Sequence, residues 1–410
     1  TYGENFTYND FVPLFNRAVR KWNPTEMADL FHKVHAKYVV LTSKHHDGFL
    51  LWPSQETKPR IKATNQTFHS ERNIVKELGQ AVKDRGMRMA YYYSGGIDWS
   101  FDQQLVQQRS DILKACDHQK KHPSYMNYAN NHWKELIDDY RTSILWNDIC
   151  YPENANLNEL FSYYYKEIPD GLINPRFKQY PSSSSSTSDN KDSTQQQIHY
   201  DFETPEYKSF SDTQQKKWES CRGIGHSFGY NQLEGPTDYL SIEELVHSFV
   251  DIVSKNGNLL LNVGPLANGS IPLIQKERLI GLGSWLDQNG EAIFRTRPWS
   301  FSEAETTEQP TKIRIRFTTA ASTITTTTTN NQNNENMNNN NDSALYVILL
   351  LNSNQILPNE INIPKLKNLH LDEKNTQITL LGKHHHNDED GTAPVTNISW
   401  RQTNDGLWVQ

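Results

Sequence analysis

The chain has 410 residues, of which 22% are charged, and its formal net charge at pH 7 is −7. Together with a pI near 6.1, this acidic balance argues against a nucleic-acid-binding surface. The length is sufficient for one barrel of roughly 250 residues and a smaller second domain, and the longest apolar run, Ala344–Leu351, is too short to span a membrane.

Helix and strand signals alternate from the start of the chain to about Trp299. Apolar periodicity and the residues typical of helix ends predict helices at Pro24–Val34, Ser70–Gly86, Tyr128–Tyr140, Asn156–Lys166, Ser241–Asn256 and Pro272–Asn289. Short apolar runs predict strands at Tyr38–Thr42, Met87–Tyr93, Ile144–Asp148, Gly171–Asn174 and Leu259–Val263. The repeating strand–helix order implies a parallel sheet, and its length suggests closure into a barrel.

The pattern changes after about Trp299, where helical periodicity disappears. Strands are predicted at Lys312–Phe317, Leu345–Leu351, Thr376–Leu381 and Leu407–Val409. We therefore expect a barrel domain over residues 1–298 and a small antiparallel β domain over residues 299–410. Two tracts of low complexity, near residues 182–197 and 318–342, have little apolar surface to offset the entropy of ordering, so we expect disordered insertions.

Reactive side chains follow two of the predicted strands. His45 and His46 come after the first strand and Asp148 ends the third; in a parallel barrel both positions lie at the carboxyl-terminal face, where active sites form. A carboxylate there is suited to attack an anomeric carbon, although an aspartate at a strand end often caps the helix that follows. The histidines can bind sugar hydroxyls, hold a metal ion or belong to a structural loop that turns at Gly48.

A retaining glycosidase needs a second carboxylic acid, roughly 5–5.5 Å from the nucleophile, to protonate the leaving oxygen. Candidates that follow Asp148 are Glu203, Glu206, Glu219 and Glu234. Reasoning from residue types and spacing leaves the choice among them open.

Several motifs in the same order resemble those of the α-L-fucosidases of glycoside hydrolase family 29. They are Lys44–Phe49, Tyr92–Trp99, Leu145–Asp148, Trp218–Tyr230 and Asp251–Pro265. The resemblance implies a (β/α)8-like barrel followed by an antiparallel β-sandwich domain. It also implies a retaining exo-glycosidase that removes terminal α-L-fucose by double displacement, with no metal and no cofactor.

The resemblance also implies roles for individual residues. Asp148, in Leu145-Trp-Asn-Asp148, corresponds to the nucleophile, and Glu206, in Thr204-Pro-Glu-Tyr207, corresponds to the acid/base. By the same matching, the residues that bind the sugar would be His45, His46, Tyr92, Trp146, Arg176 and Phe228.

Two motifs that open the family pattern, a Phe-x-His-Trp-Gly strand end and a Glu-Trp pair, are not in the sequence. We therefore expect an N-terminally incomplete member whose barrel lacks its first strand. A catalytically inactive fucose-binding paralogue or fragment is the alternative, and a metal-dependent hydrolase that uses His45 and His46 is a third hypothesis.

Five glycosylation sequons give weak support for a secretory route; they begin at Asn5, Asn65, Asn268, Asn341 and Asn397. Three cysteines are too few for a disulfide framework. We expect a lysosomal or secreted protein that acts on fucosylated glycans or glycoproteins, with no nucleic-acid or membrane partner. The sequence leaves homo-oligomerisation open.

Overall fold

The computed structural model describes residues 3–56, 68–101, 111, 123–179, 198–307, 312–320, 344–369, 371, 376–381 and 398–410. Within them the chain forms two compact units. The first contains Thr1–Thr204 and Val263–Leu273, and the second contains Pro205–Asn262 and Ile274–Gln410. The domain boundary expected near residue 298 stays a prediction.

The first unit is built on a parallel sheet whose strands follow chain order, β1-β2-β3-β4. The strands are β1 (Tyr38–Lys44), β2 (Arg88–Ser94), β3 (Ile144–Asp148) and β4 (Leu172–Ile173). The helices between and before them are α1 (Phe11–Val19), α2 (Pro24–Lys33), α3 (Ile74–Lys83), α4 (Pro123–Asp138) and α5 (Leu157–Glu167). Short 3₁₀ turns also occur, the first at Tyr8–Asp10.

Asparagine side chains begin three of these helices. Asn23, Asn73 and Asn156 each accept a hydrogen bond from a backbone N–H of the first helical turn, which satisfies a donor that the helix itself leaves unpaired. The predicted start of α3 at Ser70 was wrong. The backbone N–H of Ser70 donates to the carbonyl of Leu50 at 2.8 Å, so Ser70 belongs to the preceding extended segment.

The core of the first unit lies between the sheet and its helices. Tyr91 of β2 is fully buried and donates its hydroxyl proton to the carbonyl of Val75 on α3 at 3.0 Å. Trp133 of α4 and Tyr164 of α5 are also fully buried in this core. Because side chains alternate along a strand, Tyr92 is directed away from these helices, toward the opposite face of the sheet.

The second unit contains a parallel pair and two antiparallel sheets. The parallel pair joins β5 (Trp218–Gly223) to β6 (Gly257–Asn262). The helices of this unit are α6 (Ile242–Ser254) and α7, which begins at the boundary (Leu273–Asn289). Ser241 and Glu244 form the predicted capping box of α6, with the N–H of Glu244 donating to the Ser241 hydroxyl at 3.1 Å.

The antiparallel strands lie in the C-terminal part of the chain, as predicted. They are β7 (Thr296–Glu305), β8 (Arg314–Ala320) and β9 (Leu345–Leu350) in one sheet and β10 (Ile361–Ile363), β11 (Trp400–Thr403) and β12 (Gly406–Val409) in the other. Ile315, Phe317, Ile363, Leu366 and Leu407 form their common core.

Two expectations for this region need correction. The strand predicted at Thr376–Leu381 does not form, because this segment is irregular apart from a single bridge residue. The tract expected to be disordered from residue 318 still contributes Thr318–Ala320 to the end of β8. The rest of that tract, and the whole of the tract near 182–197, lie outside the described residues.

Candidate functional site

The ends of three parallel strands bring polar side chains together in the first unit. In the register of β2 and β3, Ser94 pairs with Asp148 and Tyr92 with Trp146. β1 runs parallel to β2, so the segment that follows Lys44 emerges at the same edge of the sheet. The carboxyl ends of adjacent parallel strands are where α/β folds build their sites.

Two side chains donate hydrogen bonds to the Asp148 carboxylate. The hydroxyl of Tyr92 donates to Oδ2 at 2.7 Å, and Nη1 of Arg176 donates to Oδ1 at 2.9 Å. The side chain of Asp148 is 14% exposed. One donor on each oxygen holds the carboxylate plane in a single orientation, while a part of its surface remains accessible.

The guanidinium of Arg176 also contacts Thr204 and Trp146. Its Nε donates to the hydroxyl of Thr204 and its Nη2 to the carbonyl of the same residue, both at 2.9 Å. Its Cζ lies 4.7 Å from the centre of the Trp146 ring, within the range of a cation–π contact. The rigid fork of an arginine suits such divided bonding, which a lysine cannot reproduce.

Beside Arg176, four aromatic side chains form a row of stacked rings. Trp146 and Tyr92 are stacked at a centroid distance of 5.4 Å, Tyr92 and His45 at 5.7 Å, and His45 and His46 at 3.9 Å. The two adjacent histidines therefore point the same way, as the loop after a strand allows and an extended segment does not. The row lies beside Asp148, because Tyr92 donates to its carboxylate and Trp146 lies against Arg176, the other donor.

His46 is neutral in this environment. Its Nδ1 lies 2.9 Å from the hydroxyl oxygen of Ser94. Burial and the neighbouring His45 ring lower the pKa of His46 to about 3, because a charged imidazole loses hydration there. His46 therefore stays uncharged through the mildly acidic range.

The backbone just after Asp148 is strained. Ile149 and Cys150 have φ values of 53° and 57°. Residues other than glycine rarely adopt this left-handed region, which is least favourable for a β-branched residue such as Ile149. The amide of Asn147 donates to the carbonyls of Cys150 at 2.9 Å and Arg176 at 3.0 Å. These bonds hold the turn against the segment that carries Arg176.

In the second unit, Glu206 pairs with β5 through a single bridge to Cys221. The next residue, Tyr207, has a φ of 50° and donates its hydroxyl proton to the carbonyl of His226 at 3.2 Å. The rings of Tyr207 and Phe228 meet edge to face at 5.4 Å. Glu206 is exposed, and Phe228 is 38% exposed.

A family model described as alpha-L-fucosidase matches residues 1–291, which is well over half of the chain. The chain belongs to the α-L-fucosidase family. An alpha-L-fucosidase of Dictyostelium discoideum is 33% identical over 316 residues, and a human plasma alpha-L-fucosidase is 34% identical over 305 residues. Each alignment covers 73% of this chain, and the chain spans about 60% of the length of these relatives.

Solved structures of fucosidases share this fold. The alpha-fucosidase of Thermotoga maritima in complex with a mechanism-based inhibitor has a TM-score of 0.76 and 35% identity, covering 100% of this chain and 79% of the other. A fucosynthase from the same organism has a TM-score of 0.75, 35% identity and coverages of 100% and 78%. This likeness confirms the predicted fold class, an α/β part with parallel strands followed by an antiparallel β part.

The contacts of the residues predicted from the family pattern fall into two groups. His45, His46, Tyr92, Trp146, Asp148 and Arg176 form one connected set in the first unit. Glu206 and Phe228 belong to the second unit. Their roles stay predictions.

The other carboxylic acids that the sequence left open have distinct surroundings. Glu203 accepts a hydrogen bond from the Tyr200 hydroxyl at 2.6 Å, and Glu219 is buried on β5 with 2% exposure. A carboxylic acid that protonates a leaving group must reach the substrate, so the burial of Glu219 argues against it.

Sequence reasoning missed the residues that support this set of contacts. Asn147 and Asn174 exchange hydrogen bonds, with the Asn174 amide donating to the Asn147 carbonyl at 2.9 Å. Thr204 accepts a hydrogen bond from Arg176, and the Ser94 hydroxyl lies 2.9 Å from Nδ1 of His46. Only the position of Asn147 and Ser94 at strand ends gave any signal, because partners distant in sequence leave no spacing to recognise.

Two other features of the described residues complete the survey. No group of three or more His, Cys, Asp or Glu side chains that could hold a metal ion is found among them. Among the helices described, none has both the length and the apolarity needed to cross a membrane.

Proposed function

We propose that the chain is a retaining exo-glycosidase that hydrolyses terminal α-L-fucose. Membership of the family supports the substrate class. The observation that carries the proposal is the Asp148 carboxylate, which is held by Tyr92 and Arg176, partly accessible and located at the carboxyl edge of a parallel sheet. A nucleophile needs this combination of fixed orientation and access.

The mechanism we propose is a double displacement. Asp148 attacks the anomeric carbon while Glu206 donates a proton to the leaving oxygen, and a covalent fucosyl-enzyme forms as the glycosidic bond breaks. Glu206, now ionised, then takes a proton from water, which attacks the anomeric carbon and releases both fucose and Asp148. The Thr204-Pro-Glu-Tyr207 stretch is the reason for choosing Glu206 over Glu203 and Glu234.

The remaining predicted residues would bind the sugar. The aromatic row that includes Tyr92 and Trp146 offers an apolar face for the C–H bonds of a pyranose, and His45 and His46 offer polar ring atoms for its hydroxyls. Arg176 would orient the nucleophile, and Phe228 would contribute a further apolar surface.

The substrates we propose are fucosylated glycans or glycoproteins. The relatives are named as fucosidases, and structures from T. maritima are described in complex with fucose and with α-L-Fuc-(1-2)-β-L-Fuc-N3.

Hydrolysis of 4-nitrophenyl α-L-fucoside tests the activity and the nucleophile together. We expect Asp148→Ala to abolish fucose release and Asp170→Ala, a surface carboxylate with 67% exposure, to leave it unchanged. A chelator should have no effect. Proton NMR of the first-formed fucose should show the α anomer, since two displacements retain configuration. A wild-type chain that binds fucose and releases none would instead indicate an inactive binding protein.

The acid/base is tested by leaving-group dependence. Glu206→Ala should slow the cleavage of a natural fucosyl linkage far more than that of an aryl fucoside, because a good leaving group needs little protonation. Glu203→Ala serves as the matched control. The assignment fails if Glu203→Ala shows this dependence and Glu206→Ala does not.

We further propose a secreted or lysosomal location. Two sequon asparagines in the described residues, Asn5 and Asn268, are exposed, Cys150 is disulfide-bonded, and disulfides persist in oxidising compartments. Relatives named plasma and tissue alpha-L-fucosidases agree with this location. Expression through a eukaryotic secretory pathway should give a glycoprotein whose mass falls on enzymatic deglycosylation, and less so for an Asn5→Gln/Asn268→Gln variant.

A further inference from the structure

The end of β1 contains an irregularity that turns a lysine inward. Thr42 pairs with Tyr92 of β2, and Lys44 pairs with the next residue, Tyr93, so Ser43 is an extra residue in β1. Such a bulge redirects the side chain that follows it. Lys44 consequently has a side-chain exposure of 0%, which is rare for a lysine.

The buried ammonium of Lys44 bonds mainly to the last residue of β2 and to the segment that follows it. Its Nζ donates to the carbonyls of Ser94 at 2.6 Å and Ile97 at 3.3 Å, and it lies 3.3 Å from Oδ2 of Asp98. It also donates to the hydroxyl of Tyr125 at 3.2 Å. The Asp98 side chain is itself 0% exposed, so the ion pair fastens Ser94–Asp98 to the end of β1.

The same segment determines which nitrogen of His46 carries the proton. The Ser94 hydroxyl has one proton, and it donates that proton to the carbonyl of Ile97 at 2.9 Å, an atom that can only accept. Ser94 must therefore accept from Nδ1 of His46, 2.9 Å away. In neutral His46 the proton lies on Nδ1, and Nε2 is a hydrogen-bond acceptor.

The backbone of His46 is held by the same segment. The N–H of Trp99, the residue after Asp98, donates to the carbonyl of His46 at 2.7 Å. Both ring and backbone of His46 thus depend on the conformation of Ser94–Trp99. A buried ion pair adds little net stability, so stability alone does not explain its presence here.

We propose that Lys44 and Asp98 are positioning residues for His46: their ion pair holds the Ser94–Asp98 segment so that His46 presents Nε2 as an acceptor and selects a ligand hydroxyl that donates to it. That this hydroxyl belongs to a sugar rests on the proposed function. The position of the proton on the His46 ring does not rest on it, since that position follows from contacts within the chain.

The proposal is tested on protein labelled with ¹⁵N in its histidines. Long-range ¹H–¹⁵N correlation spectra distinguish the two imidazole tautomers. The His46 signals are assigned by their loss in His46→Gln. We expect the Nδ1–H tautomer in the wild type and a mixture of tautomers in Lys44→Met/Asp98→Asn, which removes the ion pair while keeping the acceptor that binds Ser100. Arg88→Met/Asp170→Asn, which removes an exposed pair at the other end of β2, should leave the spectrum unchanged.

Two results overturn the proposal: an Nε2–H or doubly protonated His46 at neutral pH in the wild type, or an unchanged tautomer in the folded Lys44–Asp98 variant. Circular dichroism checks folding, and if the double variant does not fold, Asp98→Asn alone decides on the same spectrum. With 4-nitrophenyl α-L-fucoside, the double variant should raise KM about tenfold with a smaller change in kcat, as expected for lost ground-state binding. A chain with the predicted tautomer and no hydrolysis would refute the proposed function alone.

Discussion

Replacement of Arg176 by lysine separates the geometry of its guanidinium from its charge. Three N–H groups of Arg176 bond to different atoms, one on Asp148 and two on Thr204, each at 2.9 Å. An ammonium is a single point of charge on a flexible stem and cannot reach both residues in the same directions. We expect Arg176→Lys to remain folded but to lose its hydrogen bonds either to Asp148 or to Thr204.

The size of the effect follows from these contacts. A hydrogen bond to a charged group contributes about 1.5–3 kcal/mol, and each 1.36 kcal/mol changes a rate about tenfold. If lysine keeps its contact with Thr204, Asp148 loses one of its two donors, and kcat/KM should fall about 10- to 160-fold. The kcat/KM of Arg176→Met should fall further, because this variant also removes the cation beside Trp146.

The assay is kcat/KM with 4-nitrophenyl α-L-fucoside, with thermal unfolding followed by circular dichroism to confirm the fold. Arg88→Lys is the matched control, since Arg88 also pairs with an aspartate but is 58% exposed, and exposed pairs contribute little. A kcat/KM for Arg176→Lys within about threefold of the wild type would refute the argument that the guanidinium geometry orients the carboxylate.

Three further outcomes are expected. The pKa of His46 is lowered to about 3 in the folded chain, so as pH falls below about 6.5 the unfolded chain protonates this histidine first. The free energy of unfolding should therefore fall on acidification from about pH 6.5 toward pH 3, and His46 should contribute at most about 1.4 kcal/mol per pH unit. His46→Gln should flatten that slope in denaturant titrations at several pH values, and an unchanged slope would contradict it. Gly96→Ala should disrupt the turn after Asp148 and lower activity, since its Cβ would lie 1.8 Å from the carbonyl oxygen of Ile149. At Gly235 the nearest atom to an added Cβ is Oδ2 of Asp238, 3.8 Å away, so Gly235→Ala should behave as the wild type. Tyr92→Phe should lower kcat/KM about tenfold or more through loss of the other donor to Asp148; equal activity would show that its hydroxyl does not act on the nucleophile.

Local pattern was sufficient for most elements of the fold. β3 runs over Ile144–Asp148 as predicted, and α5 begins directly after Asn156, because a short apolar run and a capping side chain act on neighbouring residues. The errors have a common origin. Ser70 resembled a helix start but pairs with Leu50. The short run Thr376–Leu381 was predicted as a strand that does not form, since pairing depends on a partner far along the chain.

The order of apolar runs and polar clusters along the chain was enough to predict which strand ends carry reactive side chains, and the family motifs implied their roles. The neighbours of these side chains depend on the tertiary structure. The parallel register brings Tyr92 to Asp148, a bulge at Ser43 turns Lys44 inward, and Thr204 holds Arg176 from 28 residues away. Hydrogen bonds between residues so distant in sequence depend on the strand register, which is set when the hydrophobic faces of all the strands pack together.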